Sequence, residues 1–222
     1  MSTEVIQLKQ VTVRRGNEHS VLSGFDLSVG KGEMVILLGE SGSGKSTIFK
    51  LLTGELRPDS GEVIVGGTSI PRLSRGALAE YRRSIGVVFQ DVKLLDDRSV
   101  RDQIALPLEI EWMKKQRREE RLKSILERFD LTGVAEKYPV SLSMSERSRV
   151  SIARAVASEP LVLLADDPSS HLDRASTRAI AEILRQEHSR GMTVLIGTSD
   201  EYFVSYLPEA RLQALSVAEE PA

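Results

Sequence analysis

The nine residues GESGSGKST at 39–47 limit what this chain can fold into more than any other stretch. They match G-x-x-x-x-G-K-[ST], directly after the apolar run MVILL (34–38) and directly before the helix-forming STIFKLLTGEL (46–56). A strand, a glycine-rich turn and a helix in that order form a cradle for phosphate. Gly39, Gly42 and Gly44 let the backbone turn tightly and bring its N–H groups near phosphate oxygens, with Glu40, Ser41 and Ser43 as the rest of the loop. The helix opening near Lys45 aims its positive dipole end at the same anion. Lys45 reaches the β and γ phosphates of a nucleotide as a point charge. Ser46 offers a hydroxyl to Mg²⁺, and Thr47 stands near the α phosphate.

A second segment completes this chemistry. LVLLADD (161–167) is a buried apolar strand ending in acid, which places Asp166 beside the Mg²⁺ shell. Many strands end in Asp, so this signal gains its meaning from the phosphate loop. ATP and Mg²⁺ are the expected ligands.

Around these motifs, short apolar strands alternate with helices. VIQLKQVTV and SVLSGFDLSV open the chain with strand-like alternation. EVIVGG (62–67), SIGVVFQ (84–90) and MTVLIGT (192–198) read as further strands. From about 99 to 141 the apolar residues recur at three and four, as a helix requires. The expected fold is α/β: a mainly parallel sheet flanked by helices, an N-terminal antiparallel β lobe, and a helical lobe across about residues 91–155, all within one domain spanning 1–222. With no cysteine, disulfides and thiolate metal sites are excluded. A formal net charge of −2 gives no field for nucleic acid, and no apolar run is long enough to span a bilayer. The chain is expected in the cytoplasm, with any membrane role exercised through a partner. KKQRREERLK (114–123) reads as a solvated helix face because acids interrupt its bases; the sharper alternative is contact with anionic lipid or a partner.

These residues resemble the nucleotide-binding domain of ABC transporters, a P-loop NTPase core, from VIQLKQVTV to about Tyr202. VFQD (88–91) looks like the Q-loop, with Gln90 its glutamine and a further Mg²⁺ ligand beside Ser46 and Asp166. LSMSE (142–146) stands where the family has its LSGGQ-type signature, ADDPSSHLD (165–173) looks like Walker B and D-loop, and TVLIGTSD (193–200) looks like the H-loop strand. Within the family, FQDVKLLDDRSVRDQIALPL (89–108) is similar to the FtsE cell-division branch, with LolD and MacB types as relatives. The resemblance implies an integral membrane partner of FtsX, LolE or MacB type, and a peripheral position on the inner face of the membrane. It also implies head-to-tail dimers, with a second copy or with a paralogous ATPase, in which each ATP lies between one subunit's phosphate loop and the other's signature.

The chain departs from the family at four places. Met144 and Ser145 replace the signature glycines, while Ser143 keeps its hydroxyl; Ser143 and Ser145 are the expected phosphate contacts there. Asp167 stands at the catalytic glutamate, one methylene shorter. Ser199 replaces the switch histidine, and the adenine-stacking aromatic position falls near Arg15, whose guanidinium plane can also stack. A misplacement near 1 Å costs about 100-fold in rate, so Asp167, Gln90 and Ser199 are expected to support slow hydrolysis. The alternative is a hydrolysis-deficient scaffold that signals by ATP-dependent dimerisation.

Overall fold

The computed structural model describes residues 4–15 and 19–215. Two sheets organise it. Strands β1 (Glu4–Arg15) and β2 (His19–Gly30) pair antiparallel, and β4 (Ser60–Val65) and β5 (Thr68–Ser69) extend them into a four-stranded sheet of order β2-β1-β4-β5. The second sheet is parallel, in the order β6-β7-β8-β3-β9. Its strands are β3 (Met34–Leu38), β6 (Gly86–Val88), β7 (Leu163–Asp166), β8 (Val194–Thr198) and β9 (Arg211–Ala214).

The parallel strands separate two cores, which is why MVILL is apolar throughout rather than alternating. Met34 and Ile36 of β3, Leu163 and Ala165 of β7, and Val194 and Ile196 of β8 face one core. Val35, Leu37, Leu164 and Leu195 face the other, which includes the inward side of the antiparallel sheet. Helix α1 (Lys45–Leu52) packs in this second core through Ile48, Phe49, Leu51 and Leu52. The approach is close: a Cβ at Gly197 of β8 would lie 2.6 Å from the Phe49 ring, so glycine is required there.

Between β6 and β7 the chain runs through α3 (Val100–Ile110), α4 (Lys115–Arg128) and α5 (Met144–Val156), whose buried faces share the first core. Helices α2 (Arg75–Arg83), α6 (Arg174–Ser189) and α7 (Glu201–Val204) complete the list. The sequence pattern placed the first helix through Leu56, but α1 stops at Leu52, where Gly54 turns the backbone at φ 67°. It also missed α2, β5 and β9. Helix α2 carries little apolar surface; Tyr81 is its one buried residue, and the Tyr81 hydroxyl donates to the Leu52 carbonyl at 2.5 Å.

Candidate functional site

The C-terminal ends of β3, β7 and β8 meet at a cleft of about 520 Å³. In a parallel sheet this is the end at which loops converge on a ligand. The loop after β3 is tied to its neighbour by Gly39 N–H donating to the Thr198 carbonyl at 3.2 Å. Gly42 and Gly44 take φ of 88° and 94°, a region that other residues adopt only under strain. Gly44 caps α1 without any side-chain acceptor, and no acid lies in the first turn. The first N–H groups of the helix thus have no protein partner, as anion binding requires. Lys45 is nearly buried, and its Nζ donates to the carbonyls of Gly39 at 2.5 Å and Glu40 at 2.7 Å. Its charge is therefore held at the loop.

Opposite the loop, Asp166 ends β7. Burial raises its carboxyl above the ordinary value, and the charge of Asp167 adds to this; a hydrogen bond with Ser46 and the charge of Lys45 oppose it. A carboxyl whose ionisation burial resists, bonded to a hydroxyl, offers hard oxygen donors that a divalent cation would stabilise. Among the described residues no three His, Asp or Glu side chains cluster into a cage.

Asp167 follows in the left-handed region at φ 48°, an uncommon conformation for a non-glycine residue. Its N–H donates to the Gly197 carbonyl at 2.7 Å, continuing the β7–β8 ladder by one step. Its carboxylate is held from two sides: Thr198 Oγ1 donates to Oδ1 at 3.1 Å, and Gln90 Nε2 lies 3.5 Å from Oδ2. Thr198 is fully buried and also accepts from Asp200 N–H at 3.0 Å. Two elements thus aim Asp167 at one point of the cleft wall.

Of the residues expected from sequence, Ser41, Gly42, Gly44, Lys45, Ser46, Thr47, Gln90, Asp166, Asp167 and Ser199 all line this cleft. Gly39, Glu40 and Ser43 form the loop behind it through the Lys45 contacts and the Ser43 N–H bond to the Glu40 carbonyl at 3.2 Å. The Arg15 side chain lies outside the described residues; Arg14, Val13 and Val21 form that edge of the cleft. Ser143 and Ser145 do not line it. Ser143 instead caps α5, accepting from Glu146 N–H at 3.2 Å, while Glu146 Oε2 accepts from Ser143 N–H at 2.7 Å and from its hydroxyl at 2.8 Å. These bonds hold the Glu146 carboxyl below its ordinary value. Thr198 and Glu146 are the residues that sequence reasoning passed over. For Glu146 the signal was present, since Ser143-x-x-Glu146 has capping-box spacing.

The family described as ABC transporter matches residues 22–170. A methionine import ATP-binding protein MetN of Rhizobium johnstonii is 40% identical over 200 residues, covering 90% of this chain and 55% of that protein. The MetN of Mesorhizobium japonicum is 42% identical over 203 residues, covering 90% and 54%. The chain thus spans about half the length of the curated relatives it matches. Among solved structures, the dimeric bacterial ABC transporter cassette MJ0796 superposes with a TM-score of 0.85 at 31% identity, over 98% of this chain and 97% of that one. A dimeric post-hydrolysis state of MJ0796 bound to ADP and Pi gives 0.85 at 30% identity, over the same shares.

Proposed function

Because the chain belongs to the ABC transporter family and binds ATP with Mg²⁺, we propose that it is an ATP-binding subunit coupling ATP binding and slow hydrolysis to an integral membrane partner. The observation that carries this reading is the Asp167 carboxylate, clamped by Thr198 and facing Gln90 at the wall of the phosphate cleft. A carboxylate so placed can accept a proton from a water attacking the terminal phosphate, with ADP as leaving group; such base assistance is worth about 10²–10⁴-fold. Lys45 and the uncapped start of α1 bind and orient the phosphates. Ser46 and Asp166 would hold Mg²⁺, which neutralises developing charge when bound.

Asp167 is shorter than glutamate, and Ser199 lacks an imidazole, so turnover is slow. The cluster of Met144, Ser145, Asp167 and Ser199 also favours a second reading, an ATP-responsive scaffold with closure as its output. Two readings of the partner stand beside these. The MetN relatives import methionine by name, which makes a methionine permease one candidate. The FtsE-like stretch 89–108 points to a cell-division or lipoprotein-release partner, and it alone carries that reading, since none of the relatives named above is such a protein.

In either case the apolar cleft of about 400 Å³ lined by Phe89, Leu95, Leu106, Pro107 and Ile110 offers a seat for a cytoplasmic element of the partner, next to Gln90. Both readings require nucleotide-driven pairing. Sedimentation velocity with saturating Mg-ATP should convert the chain from monomer to dimer. A monomer with and without nucleotide, alone and with the partner present, would overturn both.

A further inference from the structure

The turn between α3 and α4 bears the one tryptophan of the chain, and it points into solvent. Trp112 is 91% exposed, an extreme value for a side chain that folding normally covers. Its backbone is equally unusual. Helix α3 ends in a closed C-cap: Trp112 N–H donates to the Glu109 carbonyl at 3.0 Å, and Met113 N–H to the Leu108 carbonyl at 3.1 Å. That pattern needs a left-handed residue just past the helix, where glycine fits without strain. Trp112 occupies it at φ 56°. Met113, next in the chain, turns inward onto the core, which drives Trp112 out. The chain thus holds a bulky ring outward in a conformation that glycine would adopt at lower cost. The same cap closes α4, where Asp130 stands at φ 52°; what sets Trp112 apart is the exposure of its ring.

The charge run that follows is sorted by the structure. Glu109 pairs with Arg118 at 3.3 Å, Glu119 pairs with Arg101, and Arg121 pairs with Glu159 at 2.6 Å. Glu120 accepts from Gln116 at 3.3 Å. Among the described residues, Lys114, Lys115 and Arg117 are exposed and in no ion pair, opposed at this tip by the carboxylates of Glu111 and Glu120, which are in no ion pair either. Of the acids that interrupt the run in sequence, Glu119 is spent on Arg101, while Glu120 keeps its charge. What remains is an exposed indole beside three unpaired cations that outnumber the unpaired carboxylates.

We propose that this tip rests on the anionic headgroup surface of a lipid bilayer, with Trp112 at the interface and Lys114, Lys115 and Arg117 toward the phosphates. The inference builds on the membrane-coupled reading above. Indole rings concentrate at the headgroup level, and each cation near an anionic surface adds about 5-fold to partitioning. A protein pocket suits the tip less well. Trp112 stands outside both neighbouring clefts, one edged by Ile110 and Glu111 and the other by Met113 and Arg117. A protruding ring ringed by free charge matches a deformable polar layer better than a shaped apolar socket.

Since Trp112 is the sole tryptophan, fluorescence excited selectively at tryptophan, and not at the four tyrosines, reports this tip alone. The purified full chain is titrated, without any partner, with vesicles of phosphatidylcholine and of phosphatidylcholine mixed with phosphatidylglycerol, with cosedimentation in parallel. A blue shift with the anionic vesicles only, reversed by high salt, is expected. The triple variant Lys114→Gln, Lys115→Gln, Arg117→Gln should lose about 100-fold in partitioning, and Glu111→Gln should gain about 5-fold. Trp112→Gly should melt higher than the parent yet cosediment about 10-fold less. No shift with anionic vesicles, an equal shift with neutral ones, or undiminished binding by the triple variant would overturn the proposal. A shift seen only when the membrane protein is added would assign the tip to protein instead. Mg-ATP-driven dimerisation is read separately, so failure here leaves the membrane-coupled reading standing.

Discussion

Asp166 lies half-buried beside a second carboxylate, Asp167, and its ionisation is resisted from both causes. Its folded pKa is raised, so the folded chain holds this proton more tightly than the unfolded chain does. The stability this gives is full below the unfolded carboxylate range and is lost as pH rises through the raised folded value. At neutral pH the ionised group burdens the cation-free fold, and Mg²⁺ relieves it. The melting-point rise given by Mg-ATP should therefore shrink as pH falls through the raised carboxylate range. Asp166→Asn should melt at or above the parent without nucleotide, and should lose the Mg²⁺-dependent part of the rise; scanning fluorimetry across pH reads both. At Asp167 the limitation is reach. Asp167→Glu combined with Ser199→His should raise turnover by about 10–100-fold if carboxylate placement sets the rate. An unchanged rate would point instead to Met144 and Ser145 or to a missing partner. The phosphate loop and Asp166 could be read from sequence because each motif is contiguous. The Thr198–Asp167–Gln90 clamp could not, since its members lie 31 and 77 residues apart and only strand order joins them.

At the scale of elements, α5 connects the signature to the loop that carries Gln90. Arg154, near the end of α5, donates to the Lys93 carbonyl at 2.6 Å and to Gln103 Oε1 at 3.2 Å. Burial lowers its guanidinium pKa from the usual value. Gln103 is fully buried on α3 and bonds both backbone groups of Leu95, at 2.6 and 3.2 Å. The segment just after Gln90 is thus fastened to two helices at once. Arg154→Ala should lower kcat by about 10-fold with little change in ATP affinity, and Arg154→Lys should restore part of it; an equal loss of affinity would make Arg154 a folding residue only. Long periodic helices such as α6 were legible, because Ile180, Leu184 and their neighbours recur on one face. Strand β9 was not: RLQA is short and mostly exposed, and it joins the sheet only through β3.

For the whole molecule, the phosphate cleft lies at the C-terminal ends of the central strands of the parallel sheet, and Ser143 and Ser145 at the start of α5 do not line it. On the reading proposed above, Ser143 and Ser145 would serve a nucleotide across a pair of chains; the MJ0796 cassette to which the chain is similar is dimeric. Among the described residues no helix is long and apolar enough to cross a membrane. The capping box of Ser143 and Glu146 fixes the first turn of α5. Steady-state Mg-ATP hydrolysis by the purified chain, with Lys45→Ala as the blank, tests the coupling reading most directly. Slow turnover above the blank is the expected result. Rates equal to the blank, both alone and with the membrane partner reconstituted, would contradict a hydrolytic cycle and leave nucleotide-driven closure as the output of this chain.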